Sequence, residues 1–187
     1  MRRVRCIALL AMVAAGAGAL AGEEDHVSLV PWKVVGPGES VDAPLILYWV
    51  PASRDELRRS PLLTSHELTL YSARCVAMRV VRADDGSRLA ALHVEARLPV
   101  ALLTDRGGRV IGSREAVSVS EVEGLVRDEL ETRSARADAL LDEARRHAID
   151  GDVEAALTLY REVWDARCLC PRQGKAAQKA LRRLAKK

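Results

Sequence analysis

The sequence predicts an α/β protein in which a central mixed sheet flanked by helices is followed by an all-α helical hairpin. Three observations carry this. Leu45-Ile46-Leu47-Tyr48-Trp49-Val50 is a continuous apolar run between Pro44 and Pro51, short enough to be a strand buried on both faces, as the centre of a sheet covered by helices requires. Strand-like and helix-like segments then alternate as far as Gly112. From about Ser134 the composition turns to helix formers with no strand signal.

Taken in order, Arg2, Arg3 and Arg5 precede an apolar run from Ile7 to Leu20, and Ala19-Leu20-Ala21 has the small-x-small pattern of a secretory cleavage site. Residues 1–21 therefore read as a signal peptide, and the chain as exported, to a periplasmic or extracellular space. Removal of this segment leaves 166 residues, enough for a core that is stable without disulfides. It also removes three arginines and no acid, so the formal charge of +3 belongs to the targeting segment. Residues 22–171 carry 19 basic and 26 acidic side chains, which argues against nucleic acid as a partner of the folded body, whereas residues 172–187 carry seven basic and none acidic.

Val27 to Val35 is β-prone but contains Pro31, which marks an edge strand, and Gly36-Pro37-Gly38 breaks it. After the buried strand 45–50, Asp55 to Tyr71 places Leu57, Leu62, Leu63, Leu68 and Tyr71 at helical spacing, with Pro61 forcing a kink or break. Cys75 to Ala83 is strand-like, and Cys75 is expected as a small buried apolar residue. Arg88 to Ala96 suits a helix. Leu98 to Asp105 is a strand entered through Pro99, and Arg106-Gly107-Gly108-Arg109 turns it into Val110-Ile111-Gly112. Ser120-x-x-Glu123 is a capping box ahead of Val122, Leu125, Val126 and Leu130. The globular part is thus expected over 22–131 and a helical segment over 132–187. In the latter, a helix from Ala139 to Ala148 is stopped by Asp150-Gly151-Asp152, and Val153 to Ala166 follows it.

The stretch Tyr48-Trp49-Val50-Pro51-Ala52-Ser53-Arg54-Asp55-Glu56, with Pro61 beyond it, resembles the active-site region of the thioredoxin family with both cysteines replaced, by Ser53 and Glu56. Leu98-Pro99 before a strand and Gly107-Gly108 in a hairpin fall in the same family order, and the resemblance spans roughly Val27 to Glu131. It implies a thioredoxin-like sheet, a cis peptide bond before Pro99, and a peptide groove lined by Trp49, Ala52, Ser53, Leu98 and Pro99. It also implies that the redox reaction is absent. Thiol-disulfide exchange needs a thiolate to attack and a second thiol to resolve the mixed disulfide, and Leu47 and Val100 stand where the family has its buried aspartate and the threonine after the cis-proline. No catalytic residue, metal or cofactor is assigned, and an extended peptide or a protein is the expected partner. In the last third, Gly151, Ala156 and Tyr160 are spaced as in a tetratricopeptide helical hairpin, which this segment resembles over one repeat. Such a unit must bury its face on a neighbour.

Blander readings compete at each motif. Ser53 could cap the following helix, with Asp55 and Glu56 in its first turn, since His26, His66, His93 and His147 show no spacing that would make it a nucleophile. Cys168-Leu169-Cys170 offers the alternative of a thiol-disulfide oxidoreductase or a metal carrier using those two cysteines. The competing reading is a structural pair with one member bonded to another cysteine. Three cysteines, Cys75, Cys168 and Cys170, follow the targeting segment, so at least one lacks an internal partner. Trp32, Trp49 and Trp164 read as core residues. Along Arg172 to Lys187, Ala177, Leu181 and Leu184 form one stripe, with Arg182, Arg183, Lys186 and Lys187 outside it; a packing helix with a solvated basic face is the favoured reading, since the stripe is thin, and electrostatic attachment to an anionic surface is the alternative.

Overall fold

The computed structural model describes residues 29–185 except 37, 96 and 116. The signal peptide expected over residues 1–21 lies outside the described residues. The architecture is α/β: a five-stranded mixed sheet with helices, continued by a C-terminal helical region. In chain order its elements are β1 (Lys33–Val34), β2 (Leu45–Val50), α1 (Arg54–Arg59), a single 3-10 turn (Pro61–Leu63), α2 (His66–Ser72), β3 (Val76–Val80), α3 (Gly86–Ala91), β4 (Val100–Asp105), β5 (Val110–Glu115), α4 (Val119–Ile149), α5 (Val153–Asp165) and α6 (Pro171–Leu184).

The strands are ordered β1-β3-β2-β4-β5. β1 and β2 run parallel to β3, while β4 is antiparallel to β2 and β5 to β4. All six residues of β2 are buried, as a central strand requires, and the period of two divides them between the faces. Leu45, Leu47 and Trp49 join Met78, Ala101 and Leu103 in a core roofed by α2 and α4. Ile46, Tyr48 and Val50 join Val81, Leu92, Val100 and Leu102 beneath α3. β1 is a two-residue strand at the edge, in keeping with Pro31 just ahead of it.

Several boundaries differ from expectation, each for a local reason. Of the kink or break expected at Pro61, the break is what forms: Ser60 leaves the helical region, with φ −63° and ψ 134°, as the residue before a proline prefers. Cys75 adopts the left-handed conformation, φ 60°, and so precedes β3 rather than opening it. α3 ends at Ala91 because His93 is also left-handed, φ 53°. β5 runs on to Glu115 because its partner β4 extends to Val100 and pairs with it there. Ser-x-x-Glu occurs twice in overlap, and the earlier copy caps α4: Ser118 accepts from the Glu121 N–H, and the Glu121 carboxylate accepts from the Ser118 N–H at 3.1 Å. The expected box at Ser120 and Glu123 is therefore corrected. Glu123 is one turn in, where its carboxylate accepts from the Ser65 hydroxyl at 2.7 Å and ties the start of α2 to α4.

The largest difference is that the helix expected to end near Glu131 and the one expected from Ala139 are a single helix, α4, about 46 Å long at 1.5 Å per residue. The stretch between them holds neither glycine nor proline. Arg133 and Glu129 form an i,i+4 pair at 2.7 Å, and the hydroxyls of Thr132 and Ser134 donate back to the carbonyls of Asp128 and Leu130. The first half of α4 buries Val122, Leu125, Val126 and Leu130 against the sheet, and the second half buries Ala137, Leu141 and Ala144 against Ala156, Tyr160 and Val163 of α5 and Ala177 of α6. The C-terminal helices thus share one continuous core with the sheet. Gly151, φ 85°, makes the turn between α4 and α5 that a side chain would strain.

Candidate functional site

The sheet brings the two sequence-predicted neighbourhoods together. Val50, the last residue of β2, is paired with Val100, the first of β4. One step further along each strand stand Pro51, which leads into Ala52 and Ser53, and Pro99, which follows Leu98. The Leu98–Pro99 peptide is cis, as the resemblance implied. Ala52 and Ser53 are exposed, and Leu98 and Pro99 are half-buried. The N–H of Leu98 donates to no backbone carbonyl among the described residues.

Ser53 is the N-cap of α1. Its hydroxyl accepts from the Glu56 N–H at 3.1 Å, and the Glu56 carboxylate reaches back to accept from the Ala52 N–H at 2.8 Å. These contacts satisfy two donors that the start of a helix would otherwise leave open. The hydroxyl and the carboxylate at the two motif positions are therefore held by the backbone, and among the described residues no histidine or other base is bonded to Ser53.

Trp49 is placed differently from the groove reading. It is fully buried, on the face of β2 shared with Leu45 and Leu47, its ring 5.5 Å from that of Trp32. Its side chain lines the core and not a surface, and its indole N–H finds no hydrogen-bond partner among the described residues. The alternation of β2 carries the explanation, because residues 45, 47 and 49 must share a face.

Sequence reading missed a second wall. A cavity of about 200 Å³ lies between the turn Pro51–Arg54 with Leu57 on one side and the segment from Val80 to Asp84 on the other. It sits beyond the carboxyl ends of the adjacent parallel strands β2 and β3, where open α/β sheets commonly receive ligands. The strand–helix–strand order of 45–80 was the signal that could have found it. Arg82 grips Asp84 through two hydrogen bonds, 2.9 and 2.6 Å, which hold the Asp84 carboxyl below the usual carboxylate range. The lining is mainly apolar, and the volume is well short of the 300–1,000 Å³ typical of cofactor pockets.

The alternative site at Cys168 and Cys170 is not assembled. Cys168 is disulfide-bonded to Cys75, 93 residues earlier, with the two Cα atoms 5.8 Å apart. Cys75 is therefore a half-buried cystine residue, not the buried apolar thiol expected. Cys170 is a buried free thiol at the start of α6, 3.9 Å from the Ser134 hydroxyl. His147 approaches Asp152, Nδ1 to Oδ2 at 3.4 Å. Among the described residues no three His, Cys, Asp or Glu side chains gather so as to hold a metal ion. Nor, among those residues, is any helix long and apolar enough to cross a membrane.

No family model matches the chain, and no curated protein matches it.

Proposed function

We propose that this chain is an exported, non-catalytic thioredoxin-like binding or scaffold protein that engages an extended peptide or protein partner through the surface beside Ser53 and Pro99. The observation that carries the reading is the register of β2 on β4, which puts the turn Pro51–Ser53 next to Leu98–Pro99 while Ser53 and Glu56 are committed to capping α1. A surface is kept and the reacting groups are not. The strand order, the antiparallel β4 and the cis bond before Pro99 support the thioredoxin likeness. The turn at Gly151, with Ala156 and Tyr160 both buried, supports the tetratricopeptide likeness of the α4–α5 hairpin. Without Trp49, the lining reduces to Ala52, Ser53, Leu98 and Pro99, with the cavity at Leu57 and Arg82 adjoining. The N–H of Leu98, which has no backbone acceptor among the described residues, is a donor that an extended peptide can use.

Capture of partners from the extracytoplasmic compartment tests the binding surface. A protein retained by the native chain and lost from Leu98→Arg, with unchanged circular dichroism, supports it; equal retention by both overturns it. The frame is tested separately by Ser53→Cys/Glu56→Cys in a Cys170→Ser background. The two positions are the N-cap and third residue of α1, and the Ser53 side chain already contacts the Glu56 backbone, so their separation suits a disulfide. The native chain is expected to be inert in dithiothreitol-driven insulin reduction and the double cysteine variant active. Turnover by the native chain, or failure of the variant to close the new bond, counts against the proposal.

A further inference from the structure

α6 carries an arrangement of charge that the binding surface does not use. Arg172, Lys175, Lys179, Arg182 and Arg183 are all exposed. At 3.6 residues per turn they fall within an arc of about 100° on the helix. The helix contains no acidic residue, and among the described residues none of the five joins an ion pair. The opposite arc is fixed inward. Gln173, Gly174 and Ala177 are buried, Gln173 donates to Asp138 of α4 at 3.1 Å, and a Cβ on Gly174 would stand 2.8 Å from the Cα of Arg167. Ala180, Leu181 and Leu184 pack against the core. The orientation of α6 is thus set by close contact, and its cations are presented outward along about 17 Å of helix.

We propose that this face of α6 is an electrostatic docking surface for an anionic phospholipid bilayer. The stripe is convex and straight, so a flat anionic surface can meet all five cations at once. α6 has no aromatic side chain on which a base could stack, which single-stranded nucleic acid binders use. On the exported reading proposed above, the apolar run Ile7–Leu20 behind three arginines delivers the chain to a membrane, which puts a lipid surface within reach of α6. Because the apolar residues of α6 face inward, attachment is by charge alone, reversible and sensitive to salt, without insertion. It is independent of the peptide surface beside Ser53.

The test is flotation of the purified full chain with vesicles of phosphatidylcholine alone or mixed with phosphatidylglycerol. Binding is expected only to the mixed vesicles, with release at high ionic strength. Lys175→Gln/Lys179→Gln/Arg182→Gln should weaken it roughly 100-fold, since each basic residue near an anionic membrane contributes about a fivefold factor. Arg58→Gln/Arg59→Gln/Arg161→Gln removes the same charge from other exposed positions and should change binding little. Equal loss in both variants, equal binding to neutral vesicles, or binding to duplex DNA or polyglutamate in preference to mixed vesicles overturns the proposal. Circular dichroism and intact pairing of Cys75 with Cys168 verify the fold of each variant.

Discussion

Replacing Cys75 and Cys168 together with serine is expected to lower the stability of the protein by about 2–5 kcal/mol. The bond spans 93 residues, and the entropy of closing so long a loop in the unfolded chain gives about 4–5 kcal/mol in the chain-entropy model. It joins the start of β3 to the turn between α5 and α6, where Arg74 also donates to the Leu169 carbonyl. The loss should therefore appear both as a lower urea midpoint and as faster amide exchange in α5 and α6. Cys170→Ala serves as the control. It removes a buried thiol that has no disulfide partner and should cost far less. A double serine variant within about 1 kcal/mol of the native chain would show that the bond only decorates a fold already closed by its core.

Trp49→Ala is expected to cost about 3–5 kcal/mol, the usual range for emptying a large aromatic site in a core. The ring is fully buried and packs on Trp32, so little collapse can fill the space. Trp49→Phe separates two contributions. It removes apolar contact, which destabilises, and it removes a buried indole N–H that has no partner among the described residues, which offsets about 1–3 kcal/mol. The phenylalanine variant should thus lie much closer to the native chain than to the alanine variant in urea unfolding. It should also retain captured partners, because the ring does not reach the surface. Equal destabilisation by both substitutions, or loss of partners in Trp49→Phe alone, would restore Trp49 to the groove.

How far the sequence could be read follows from what each feature depends on. β2 and β4 are legible because an unbroken apolar run between prolines has few places to go except the middle of a sheet. The break at Pro61 and the turn at Gly151 are local chemistry and are equally visible. The direction of Trp49 follows from the alternation through Leu45 and Leu47, although the family likeness pulled it toward the surface. The pairing of Cys75 with Cys168 depends on how α4 carries the chain back across the sheet, and no local pattern encodes that. The continuity of α4 was missed because a change in composition at Ser134 resembles a boundary, while helices end on caps, glycine or proline and none is present there. The second wall of the site, from Val80 to Asp84, becomes visible only once β2 and β3 are known to be neighbours.

The long span of the Cys75–Cys168 bond also bears on how the protein is made. During synthesis Cys75 emerges well ahead of its mate, and the two can meet only after α4 and α5 have been translated and folded back. A chain halted before residue 168 leaves Cys75 without this mate, while a finished one pairs it. Pairing of Cys75 with Cys168 therefore requires that α4 and α5 have been made and brought back to the sheet.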